Sequence, residues 1–184
     1  MKIIQTKLEG CVIIEPKVFG DERGFFLETY HEERYIQAGI KERFVQDNRS
    51  SSSYGVLRGL HFQKSKPQGK LVSVTHGQVF DVAVDLRPGS ETFGMHETII
   101  LSSENKLQFY IPPGFAHGFC VLSDTADFQY KCTDYYDPND ESGILWNDSS
   151  LNIVWPLSEP VLSEKDSKQP LLSDIINSIE NGWV

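Results

Sequence analysis

Between Lys2 and about Trp155, apolar residues come in short runs or alternate strictly with polar ones, and Gly, Pro, Asn and Asp cut the runs. A period of two marks a strand with one buried face, and many short strands between turn residues announce a sandwich or barrel. The chain is therefore expected to be all-β. The stretches "CVIIEP", "GFFLETY", "FVQDNRS", "VLRGLHFQ", "KLVSVTHG", "QVFDVAVDLR", "HETIILS", "KLQFYIP", "GFCVLS" and "DFQYKCT" read as strands, and "GDERG", "PGSETFG" and "SSENK" as turns. Two stretches carry helical spacing instead. "HEERYIQAG" is stopped by Gly39, and "LLSDIINSIE", about residues 171–181, puts Leu172, Ile175, Ile176 and Ile179 on one face. The second helix is expected on the outside of the sheets. With no internal repeat and no long linker, the 184 residues suit a single domain, 1–184.

Some polar residues interrupt this pattern. In "QVFDVAVDLR", Phe80, Val82, Val84 and Leu86 share one face, and Asp81, Ala83 and Asp85 share the other. Two readings stand: a wetted side of an edge strand, or a polar barrel interior. His61, Lys70, Asp81, His117 and Tyr130 each fall on a different strand or strand end, as expected where a barrel gathers polar groups. Taken singly they have plainer roles, such as a hydrogen-bonded structural histidine, a lysine reaching to solvent or a core tyrosine. Within "VLRGLHFQ", Arg58 and His61 have opposite parity, so a regular strand would send them to opposite faces. A bulge or kink at Gly59 would bring both into one cavity.

Charge narrows the partners. The formal net charge is -9, and the 17 Lys and Arg residues form no basic block, which argues against nucleic acid. No apolar stretch reaches the roughly 20 residues of a membrane span, and the start of the chain lacks a leader pattern. Cys11, Cys120 and Cys132 are odd in number and lack metal-type spacing, so free thiols in the cytoplasm are expected.

"IPPGFAHGF" contains Pro112-x-Gly114-x-x-His117, which resembles the second conserved box of the cupins, small jelly-roll barrels built as a double-stranded β-helix. Many cupins add a His-x-His pair to bind a metal. The corresponding place here reads His61-Phe62-Gln63, so histidines acting as acids and bases are expected rather than a metal site.

Taken in order, "EPKVFGDERGFF", "FVQDN", "VLRGLHFQ", "QGKLV", "DVAVDLR", "IPPGFAHGF", "YKCTDYY", "GILWND" and "LSEKD" resemble the dTDP-4-dehydrorhamnose 3,5-epimerases from about Ile3 to Leu172. The resemblance implies a cupin-like jelly roll with a few short peripheral helices, a homodimer, no cofactor and no metal. The implied activity is epimerisation of dTDP-4-dehydro-6-deoxy-glucose at carbons 3 and 5, on the way to dTDP-L-rhamnose. By resemblance His61 is the base, Asp166 its dyad partner, Tyr130 the opposing acid and Lys70 the cation near the carbonyl oxygen. Arg23 and Arg58 match phosphate contacts, for which paired guanidinium hydrogen bonds are suited. Phe25 and Tyr135 match aromatics that stack on thymine. Glu28, Gln46, Asn48, Asp81, His117, Glu141 and Lys165 match further substrate-binding positions. The "ERGFF" arm would reach into the partner subunit's site. Arg23 has a competing role as a turn-stabilising charge beside Asp21 and Glu22. The alternative activities are a single-carbon epimerase on a related dTDP-keto-sugar, a non-catalytic sugar-nucleotide binder and a metal-dependent oxygenase.

Overall fold

A computed structural model of the chain describes residues 1–180. Two antiparallel sheets carry the fold. One runs β1 (Lys2–Gln5), β2 (Val12–Glu15), β10 (Gln108–Ile111), β7 (Lys70–His76), β12 (Thr125–Cys132) and β5 (Gln46–Ser53) in spatial order. The other runs β13 (Glu141–Gly143), β6 (Leu57–Gln63), β11 (Phe115–Val121), β8 (Gln78–Asp85) and β9 (His96–Ser102). A separate hairpin joins β3 (Val18–Asp21) to β4 (Gly24–Leu27). From β5 to β8, and again from β10 to β13, successive strands switch sheets. This alternation winds the chain into the cupin-like jelly roll, with the functional cluster between the sheets.

The expected strands are present, and β1, β3 and β13 join them. The inner faces meet in a core of Val72, Val74, Phe109, Ile111 and Phe128 against Val79, Ala83, Phe119 and Val121. Both outer faces are also covered. Helix α1 (Glu32–Gln37), ended by Gly39 at φ 99°, places Tyr35 on Val12, Ile14, Leu71 and Tyr110. Helix α2 (Leu172–Glu180) lies outside the five-stranded sheet as its periodicity predicts, and Leu172, Ile175 and Ile179 pack with Val82, Val84 and Leu86. Each such buried side chain contributes about 1.5 to 3 kcal/mol before chain entropy is counted. Asp148 Oδ2 accepts the Leu172 backbone N–H at 2.6 Å, which satisfies a donor at the start of α2. The end of this helix, expected at Asn181, lies outside the described residues.

Covering both faces resolves the two readings of β8. Its more apolar face, with Phe80, Val82, Val84 and Leu86, points outward beneath the C-terminal segment. Asp81, fully buried, belongs to the inner face with Val79 and Ala83.

Candidate active site

The opening between the sheets is built by register. In the six-stranded sheet Lys70 pairs across β7 and β12 with Cys132, Cys132 with Gln46, and Tyr130 with Asn48. These residues share the inner face with Val72, Val74 and Phe128, so one end of the barrel interior is apolar and the other polar. In the facing sheet His61 on β6 pairs with His117 on β11 and with Gly143 on β13, while Gln63 pairs with Glu141.

A bulge fixes what β6 presents. Register along β6 and β11 moves from His61 opposite His117 to Arg58 opposite Phe119, so one extra residue of β6 is accommodated. Gly59 has φ 123°, and a Cβ there would stand 2.5 Å from Gly118 Cα and 2.7 Å from the His117 carbonyl oxygen. Only glycine permits that approach. Arg58 and His61 consequently line one hollow of about 270 Å³ together with Lys165 and Asp166. His61 also lines an adjoining cavity of about 300 Å³ with Lys70, Tyr130, Gln46, Asn48 and Glu141.

His61 Nε2 donates to Asp166 Oδ1 at 2.5 Å. Burial alone would raise the Asp166 carboxyl, but the His61 hydrogen bond and charge, Ser163 and the Gly59 amide hold it below its usual value. Asp166 is thus a carboxylate that keeps the imidazole proton on Nε2 and leaves Nδ1 as the basic nitrogen. Burial raises Tyr130, which retains its phenolic proton at neutral pH. Burial lowers Lys70, against the opposing pull of Cys132, Asp81 and Glu141. His117 Nε2 donates to Asp81 Oδ2 at 2.9 Å, and desolvation keeps the imidazole below its ordinary value despite that carboxylate. The His117 ring stacks on Phe128 at 5.8 Å.

Arg58 Nε donates to Ser52 Oγ at 3.1 Å, bridging the sheets at the mouth. Glu141 Oε2 accepts from Lys165 Nζ and, at 2.7 Å, from the Tyr136 hydroxyl. Desolvation would raise Glu141, but Lys165, Tyr136 and His61 together hold it below its usual value.

The structure therefore brings together His61, Asp166, Lys70, Tyr130, Gln46, Asn48, Arg58, Glu141 and Lys165, with Asp81 and His117 buried alongside. Arg23, Phe25 and Glu28 lie outside both hollows, on the hairpin and the segment after it. Arg23 makes paired bonds to Asp21, Nε to Oδ1 at 3.1 Å and Nη2 to Oδ2 at 2.6 Å, and Arg34 holds Glu28 at 2.7 Å. Tyr135 is 65% exposed and absent from the cavity wall, which its neighbour Tyr136 forms instead. Sequence reasoning also passed over Phe62, Gln63 and Gln68. Gln63 shares the inward parity of His61, a signal that was available; Gln68 and Tyr136 lie outside strands, where no period exists. Among the described residues no group of three or more His, Cys, Asp and Glu is placed to hold a metal ion.

A protein-family model described as dTDP-4-dehydrorhamnose 3,5-epimerase matches residues 5–174. The dTDP-4-dehydrorhamnose 3,5-epimerase of Salmonella typhimurium strain LT2 is 53% identical over 179 residues, covering 96% of this chain and 98% of that protein. The crystal structure of the dTDP-6-deoxy-D-glucose-3,5-epimerase from Legionella pneumophila Philadelphia 1, in complex with dTDP-4-keto-L-rhamnose, gives a TM-score of 0.94 at 58% identity, covering 97% of this chain and 96% of that one. A 3'-monoepimerase from Streptomyces bikiniensis, in complex with dTDP-quinovose, gives 0.88 at 32% identity, covering 95% of this chain and 90% of that one. The barrel, the polar end that its register assembles and these likenesses agree: the chain belongs to the dTDP-4-dehydrorhamnose 3,5-epimerase family.

Proposed function

We propose that the chain converts dTDP-4-dehydro-6-deoxy-glucose to dTDP-4-dehydro-L-rhamnose by moving protons across the cavity between His61 and Tyr130. The observation that carries this reading is their placement: both line one cavity, His61 from the five-stranded sheet and Tyr130 from the six-stranded sheet. Hydrogens on carbons 3 and 5 are acidic because each neighbours the carbon 4 ketone. Inversion needs a base on one face, an acid on the other and a cation where the enolate oxygen develops. His61, kept in the right tautomer by Asp166, removes the proton. Tyr130 holds a proton to return, and the Lys70 ammonium stabilises the enolate. His117 and Asp81 contact the sugar end or support those that do.

Arg58 at the mouth binds the diphosphate, with Gln46, Asn48, Glu141 and Lys165 completing the pocket. Tyr136 takes the aromatic position that the sequence gives to Tyr135. Arg23, Phe25 and Glu28 serve the second subunit of a homodimer, since the hairpin that carries Arg23 and Phe25 exposes its aromatics away from the chain's own cavity. Identities of 53% and 58% to 3,5-epimerases, against 32% to the 3'-monoepimerase, favour action at both carbons. The buried free thiols suit a cytoplasmic enzyme.

The test is turnover in deuterated water followed by NMR, which counts deuterium gained at carbons 3 and 5. Wild type should label both. His61→Ala should lower turnover on the order of a thousandfold while dTDP affinity survives. Near wild-type labelling by that variant would sink the assignment, and label at one carbon alone would make the protein a monoepimerase.

A further inference from the structure

Segment 133–137 leaves β12 and walls the cavity through Tyr136, yet it pairs with no strand. The Thr133 N–H bonds the Gly69 carbonyl and the Tyr135 N–H the Asp134 carboxylate, and four further backbone groups are held by glutamine side chains from three places in the fold. Gln46 Oε1 accepts the Tyr136 N–H at 2.9 Å, and Gln68 Nε2 donates to the Asp134 carbonyl at 2.8 Å. Gln63 does most: its Nε2 donates to the carbonyls of Tyr135 at 3.2 Å and Lys66 at 2.8 Å, and its Oε1 accepts the Asp137 N–H at 2.8 Å.

We propose that Gln63 is a positioning residue of the reaction, one that sets Tyr136 against the bound sugar nucleotide by gripping the backbone on both sides of it. A primary amide has two N–H donors, and both are engaged with protein carbonyls. Gln63 therefore lines the cavity with no donor left for substrate, and at 5% exposure it is shielded from water that would loosen the grip. The need is for two donors and one acceptor from a single neutral group. A carboxylate would face two carbonyls with an oxygen, and an ammonium would face an N–H. Asp137, Tyr135 and Lys66 would each lose a buried partner if the amide were removed. His61 and Tyr130 are held independently, by Asp166 and by strand register, so the grip acts on substrate fit rather than on proton transfer.

The inference rests on the His61 cavity being the substrate site, which the His61→Ala variant tests separately. Gln63→Leu, with folding checked by its melting curve, should raise KM about tenfold and leave kcat within about twofold of wild type. Gln63→Glu keeps the shape and the acceptor for Asp137. At neutral pH its KM should also rise, and the ratio to wild type at the same pH should shrink as acidification gives the carboxyl a proton to donate. If KM is unchanged in both variants, or kcat falls while KM stays, the positioning role is overturned. If His61→Ala remains active, the site reading fails before the role of Gln63 is reached.

Discussion

Tyr130 carries the sharpest chemistry that a single atom can test. Burial raises its hydroxyl, so the phenol keeps its proton at neutral pH, as the proposed acid must, and its ring is held 5.9 Å from that of Phe128. Tyr130→Phe removes only the oxygen and keeps that packing. With His61 and Asp166 intact, the enolate still forms and recovers its proton from the side it left. Solvent deuterium should therefore enter recovered substrate while inverted product falls on the order of a hundredfold, which NMR separates. Parallel loss of exchange and inversion would instead make Tyr130 a positioning group. His61, Lys70 and Tyr130 were legible in the sequence as groups able to carry a proton or charge, each on a different strand or strand end, and strand parity limits where such a residue can point. Tyr135 and Tyr136 were not separable that way. Their segment is shaped by the amides of Gln46, Gln63 and Gln68, and those contacts span tens of residues.

Strand β8 shows both the reach and the limit of period-two reasoning. The alternation sorts Asp81 from Phe80 correctly, but it cannot say which face is interior once the outer face is also covered. A three-residue strand such as β13 has too few positions to show a period at all, and it exists because β6 offers an edge to pair with. At the far end of β8, Asp85 organises the loop to β9. Its carboxylate accepts from Arg87 N, Nε and Nη2 at 3.0, 2.9 and 2.6 Å, from Ser90 Oγ at 2.7 Å and from Thr92 Oγ1 at 2.6 Å. Burial pushes this carboxyl upward, but those donors outweigh it and bring the group down from 3.8 to about 2. A carboxyl depressed on folding stabilises the native state above its unfolded value and loses that contribution as pH falls from 3.8 through about 2. Asp85→Asn should cost about 2 to 3 kcal/mol at neutral pH by denaturant unfolding. The gap to wild type should narrow as pH falls toward 2. A gap that stays constant across that window would show that the carboxylate charge is irrelevant.

At the scale of the whole molecule, the hairpin β3–β4 pairs with neither sheet of the barrel. It exposes Phe19, Phe25 and Phe26 at 52%, 61% and 69%, with the ammonium groups of Lys17 and Lys106 over the rings of Phe19 and Phe25. Three neighbouring aromatics left in water are an unusual surface for a lone subunit and a natural one for an arm that docks on a second copy. Arg23 sits at the turn of that arm, clamped by Asp21. The competing role, a charge that only steadies its own turn, makes a different prediction when two defective subunits are mixed. Arg23→Ala and His61→Ala should each be nearly inactive on its own. If the arm serves the partner's site, a mixed dimer has one site with His61 from one subunit and Arg23 from the other, both intact. Statistical mixing of equal amounts makes half the dimers mixed, with one good site in two, so activity should recover to about a quarter of wild type. If the arm serves its own subunit, every site in the mixture lacks one residue or the other and nothing is regained. Full activity and unchanged KM in Arg23→Ala would return Arg23 to the turn.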